Sequence, residues 1–147
     1  MTIKYPISSE KDFLTIYLTL YNAVMPPHQR LVPSELELMV DFALLPEQKF
    51  QYQRFSTLAK NTVIRSTDRK LTKVNINNKI YSILDKGFLK RDEDGVIYMP
   101  KHFLQALSQY RKNPSEYSIT LKFQPIQLHQ DDSKQDNSDI RADSSST

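Results

Sequence analysis

The sequence predicts a mainly α fold with a small β component, built around a helix-turn-helix followed by a short hairpin. Apolar residues recur at helical spacing in five separate segments. Late in the chain, Asp94-Gly95 separates two short apolar segments, a strong hairpin signal. Positive charge is concentrated between these features: residues 49–91 carry eleven Lys/Arg against two Asp/Glu, in a chain whose net charge is only +3. A local excess of that kind is the electrostatic footprint of a polyanion site, and also what a plain solubilising face looks like.

In chain order, residues 2–7 (TIKYPI) read as an extended arm or edge strand, because Pro6 cannot donate to a central ladder. Ser8 or Ser9 caps a helix over about residues 10–24, with Phe13, Leu14, Tyr17, Leu18, Tyr21 and Val24 at helical spacing. Pro26-Pro27 must end it. A second helix starts near Pro33-Ser34, with Ser34 and Glu37 spaced as a capping box, and Pro46 closes it. Residues 47–55 are a polar, aromatic connection, a further helical turn or a short strand. A third helix covers about 56–66, with Leu58, Ala59 and Val63 facing inward. The next covers about 74–86, where Ile76, Ile80, Ile83 and Leu84 form one face and Gly87 provides the left-handed stop. A hairpin follows over 88–99. Pro100 opens a helix carrying Phe103, Leu104, Leu107 and Tyr110 to about Lys112. Tyr117, Ile119, Leu121 and Phe123 alternate as a strand does, free to pair with residues 2–7 or with a partner chain.

The organisation expected is therefore an arm at 1–9, a domain at 10–123 and an acidic tail at 124–147. The tail carries two Lys/Arg and five Asp/Glu with few apolar side chains, a composition that does not repay ordering on its own.

Several functions are disfavoured. Cysteine is absent, so no disulfide or thiolate site exists. His28, His102 and His129 lie in separate segments and match no metal spacing. Gly87 and Gly95 are the only glycines, too few for a phosphate-binding loop. Asp92, Glu93 and Asp94 begin like a calcium loop, but the later ligands are missing. No nucleophile–base pair is evident. The expectation is a protein without catalytic residues, metal, cofactor or small-molecule substrate. No apolar run spans a membrane and the N-terminus does not read as a secretory signal, so a cytoplasmic location is expected.

The candidate site is the basic helix pair. Asn75, Asn77, Asn78, Lys79 and Ser82 lie off the apolar face of the second helix and are the base-facing candidates. Asn pairs bidentately with adenine, and Lys reaches guanine acceptors or phosphates. Lys60, Arg65, Arg69, Lys70 and Lys73 around the turn, with Lys90 and Arg91 at the hairpin base, are the phosphate candidates.

With Leu84, Lys86-Gly87, Phe88-Leu89 and Lys90-Arg91 in this order, residues 33–100 resemble winged helix-turn-helix domains. The similarity is to the MarR-like and replication-initiator-like kind and to small winged-helix proteins of bacteriophages. The resemblance implies a double-stranded DNA partner and a role in transcription regulation or as a replication accessory. Two features depart from the family pattern: the wing turn is acidic, and the second helix has no arginine. The alternative expectation is a structural or adaptor protein, such as a bacteriophage virion connector or ring component, using the same scaffold to dock protein. The first helix suits core packing or a dimer interface, and strand addition through the termini suits a homo-oligomer.

Overall fold

In a computed structural model, residues 1–50 and 53–124 are described. The acidic tail expected at 124–147 lies, but for Gln124, outside the described residues, as does His129. The described residues divide into two compact units, one of residues 1–5 with 118–124 and one of residues 6–50 with 53–117.

The smaller unit is a two-stranded sheet of β1 (Thr2–Pro6) and β4 (Ser118–Lys122). Met1 and Phe123, just outside the strands, exchange hydrogen bonds in both directions. The segment expected as an arm thus finds its partner within the chain.

The larger unit is mainly helical, with a second small sheet. It holds α1 (Glu10–Ala23), α2 (Pro33–Ala43), the single turn α3 (Glu47–Phe50), α4 (Thr57–Ser66), α5 (Lys73–Asp85), a hairpin of β2 (Lys90–Arg91) and β3 (Ile97–Tyr98), and α6 (Lys101–Lys112). The helix ends are fixed by local chemistry. Ser9, Ser56 and Thr72 cap α1, α4 and α5, each accepting from the backbone N–H three residues on. Gly87 ends α5 at φ +85°, with Gly87 N–H donating to Leu84 O and Phe88 N–H to Ile83 O, the paired bonds of a left-handed helix stop.

The α2 start differs from expectation. Pro33 occupies the first helical position, which its fixed φ suits, so the cap falls on Val32 and not on Ser34. Valine has no acceptor. Half a capping box remains, with Glu35 Oε1 accepting from Val32 N–H at 2.9 Å. Ser34 and Glu37 are thereby released for contacts with distant parts of the chain. Leu58 also departs: it is 54% exposed, because the buried stripe of α4 runs through Ala59 and Val63, one turn apart.

One continuous core joins α1, α2, α4, α5, the hairpin base and α6. The aromatic face of α1 is used here. Phe13 stacks on Tyr110 at 4.7 Å, and Tyr21 meets Phe103 and Phe88 edge-on at 5.2 and 5.6 Å. Arg54 is the one buried cation among the described residues. Its guanidinium donates to the Phe42, Ala43 and Leu45 carbonyls, closing the C-terminal end of α2 where the helix dipole favours positive charge.

Candidate nucleic-acid interface

Besides Arg54, three cations of the basic segment are bound to α2 by the fold. Arg69, in the turn between α4 and α5, pairs with Glu37 and Asp41. Lys79 donates to Ser34 Oγ at 3.0 Å. Lys86 pairs with Glu35, which is only 3% exposed. Lys79, Ser82 and Lys86 are spaced i, i+3, i+7 and form one stripe of α5. That stripe meets the N-terminal turn of α2, with Ser82 near Glu35. Burial opposes the Glu35 charge, but Lys86, Ser82 and the Val32 N–H together outweigh it and hold the carboxyl below the ordinary glutamate range. Asp41 shifts the other way: burial raises it more than Arg69 and Lys11 lower it, with Glu37 adding to the rise.

Lys79 and Ser82, expected to face bases, therefore face α2, and Arg69 spends its guanidinium on two carboxylates. The remaining candidates stay open. Asn75 and Asn78 are exposed and Asn77 is half-buried. The outward face of α5 runs through Val74, Asn78, Tyr81 and Asp85, spaced 0, 4, 7 and 11. Tyr81, not among the sequence candidates, is 54% exposed at the centre of this face. Arg91 of β2 lies over its ring at 5.7 Å, a cation–π contact that ties the hairpin base to α5.

Arg65, Lys70, Lys73, Lys90 and Arg91 are exposed and Lys60 is half-buried, none with a salt-bridge partner among the described residues. Lys60 on α4 and Lys73 at the start of α5 lie close enough to repel. Burial and then the Lys73 charge lower the Lys60 pKa. An anion held between them relieves both effects. Helix α4 has no acidic residue, and α5 none before Asp85. The hairpin tip is acidic and self-contained: Asp92 Oδ1 accepts from Asp94 and Val96 N–H, and Gly95 sits at φ +79°.

A cleft of about 520 Å³ between α1, α2 and the α4–α5 turn is lined by Lys11, Asp12, Glu37, Asp41, Asp68 and Arg69. Its central charges already neutralise one another. Among the described residues, no group of His, Asp and Glu is arranged to hold a metal ion, and no helix is long and apolar enough to cross a membrane.

What the fold and this face define is a mainly helical protein with a small antiparallel hairpin beside a basic helix pair. No protein-family model, curated protein or solved structure matches the chain.

Proposed function

We propose that residues 33–99 form a winged helix-turn-helix, with α4 and α5 as its helix pair and β2–β3 as its wing. The chain then binds double-stranded DNA as a transcriptional regulator or replication accessory. The observation that carries this reading is the uncovered face of α5. It offers Asn75, Asn78 and Tyr81 with no carboxylate before Asp85, and α4, the α4–α5 turn and the hairpin carry cations with no salt-bridge partner among the described residues. Asn75, Asn77 and Asn78 face base edges in the major groove, and the Val74 side chain suits a thymine methyl. Lys60, Arg65, Lys70, Lys73 and Arg91 neutralise phosphates. Lys79, Ser82 and Arg69 leave the contact set and set the pose of α5 through α2. The acidic tip, Asp92 to Asp94, keeps the wing at the margin of the duplex.

Anisotropy of a labelled duplex across a salt series tests this. Five phosphate contacts give a log–log salt slope of about −4 to −5. Absence of binding at low salt, or binding indifferent to the combined change Lys73→Ala, Asn78→Ala and Tyr81→Ala, rules it out.

A second reading, a protein-docking scaffold such as a bacteriophage virion component, is favoured by one observation: Leu58, Val74 and Tyr81 are all more than half exposed on the helix pair. Under it, Leu58→Ser and Val74→Ser release a bound protein or dissociate an oligomer in light scattering, while duplex affinity is negligible from the start.

A further inference from the structure

The hairpin sends its two basic side chains in opposite directions. Successive residues of a strand point to opposite faces. Arg91 goes to Tyr81 on α5. Lys90, paired across the hairpin with Tyr98, lines a separate cleft together with Tyr21 of α1 and with Lys101 and His102 of α6. The cleft measures about 360 Å³, within the roughly 300–1,000 Å³ range of small-molecule sites.

Its walls combine two chemistries. Tyr21, Tyr98 and His102 are flat rings; those of Tyr21 and His102 lie 5.4 Å apart at 32°. Lys90 and Lys101 are exposed ammonium groups with no salt-bridge partner among the described residues, and no carboxylate lines the cleft. Positive charge therefore accumulates against aromatic surface without an internal counter-charge. Burial, and then the charge of Lys90, lower the His102 pKa, so Lys90 lies near enough to oppose protonation of the ring. Surface lysines alone attract any anion. Lysines bordering aromatic rings select an anion carried on a planar group.

We propose that this cleft binds a nucleotide unit, its base against Tyr21, Tyr98 and His102 and its phosphate on Lys90 and Lys101. The site is separate from the outward face of α5 and does not depend on duplex binding there. The same chemistry is met by a free mononucleotide or by an unpaired nucleotide of a strand.

Calorimetric titration with deoxyadenosine monophosphate, inorganic phosphate, deoxyadenosine and a short single-stranded oligodeoxyadenylate tests it. The monophosphate is expected to bind at least about tenfold more tightly than inorganic phosphate or deoxyadenosine alone, because only it engages rings and ammonium groups together. The combined change Lys101→Ala and His102→Ala is expected to weaken it by about tenfold or more, from the loss of a charge-assisted bond and a stacking surface. Both residues are exposed, so the variant keeps its fold, which circular dichroism verifies. Tyr81→Ala is expected to leave nucleotide binding intact while reducing duplex binding, so failure of either site is seen without the other. An oligonucleotide tighter per site than the monophosphate identifies a strand as the source, and a weaker one identifies the free nucleotide; both uphold the site. Inorganic phosphate equal to the monophosphate, no monophosphate binding up to about 10 mM, or unchanged binding by the variant overturns it.

Discussion

Changing Lys86 to Met tests how α5 is held in place. The Glu35 side chain is 4% exposed and that of Lys86 20%, so the pair is largely withdrawn from water. Glu35 Oε1 accepts from Lys86 and from Val32 N–H. In Lys86→Met the carboxylate keeps only the neutral Val32 N–H. Removing one partner of a buried pair costs about 3–5 kcal/mol. Lys86 retains some water contact, so the lower end, about 3 kcal/mol, is expected here. That is a large share of the roughly 5–15 kcal/mol by which domains are stable. Replacing both partners, Glu35→Gln with Lys86→Met, removes the stranded charge, and the loss falls to about 1 kcal/mol. Urea denaturation followed by circular dichroism measures all variants. The pH dependence has a definite sign. The folded pKa of Glu35 is depressed, so its stabilisation is present above about pH 4.5 and is lost as pH falls through the lower folded value. Without Lys86 the depression disappears, so the gap between Lys86→Met and wild type narrows from pH 7 toward pH 4. A loss under about 1 kcal/mol at pH 7, a gap that stays constant with pH, or a double variant as poor as the single one refutes the reasoning.

Arg54→Met removes the guanidinium from three carbonyls at the end of α2, of which Phe42 O keeps the Leu45 N–H, and is expected to cost about 2–3 kcal/mol in the same denaturation assay. Gly87→Ala meets no atom within 4 Å but must hold φ +85°, so a loss of about 1–2 kcal/mol, seen as a lower melting temperature, is expected from backbone strain alone. Arg69→Ala breaks the pairs with Glu37 and Asp41; lower stability with an unchanged duplex salt slope is expected, whereas Lys73→Ala should reduce that slope by about one unit with stability intact.

Helix identity and ends were legible because their causes are local. Ser9 satisfies an N–H three residues away and Gly87 needs only its own φ; Ser56 and Thr72, not named as caps from the sequence, follow the same local rule. The hairpin was legible from Asp94-Gly95 for the same reason. Where two local rules competed, at Pro33 and Ser34, proline took the first helical position and the expected box failed. The division of the α5 polar side chains depended on α2. Lys79 reaches Ser34 and Lys86 reaches Glu35 across 45 and 51 positions of sequence, and nothing near residue 79 or 86 announces those partners. A partial signal existed, since Lys79, Ser82 and Lys86 share a stripe at i, i+3, i+7, apart from Asn78 and Tyr81. Tyr81 was missed because aromatic residues in helices ordinarily read as core. Its position one turn beyond Asn77 and Asn78 places it outside the Ile76, Ile80 and Ile83 stripe. Arg54 carried no local sign of burial, because its acceptors are backbone carbonyls at the end of α2, 9 to 12 positions earlier.

The same division explains how a strongly basic segment can be selective in what it touches. Of the cations gathered between residues 49 and 91, Arg54 closes the end of α2, while Arg69, Lys79 and Lys86 tie the α4–α5 turn and α5 to α2. Among those left over, Arg91 lies over Tyr81 and Lys90 lies beside Tyr21 and His102, on the two sides of the hairpin. Net charge alone cannot distinguish these groups, and a single exposed patch would attract any polyanion equally. Strand alternation at residues 90 and 91 is what separates them, so inserting one residue into the hairpin ahead of Lys90 exchanges the faces of the two side chains. Because each face has its own aromatic partner, that insertion is expected to impair the α5 face and the Tyr21–His102 cleft together, whereas point substitutions impair them singly.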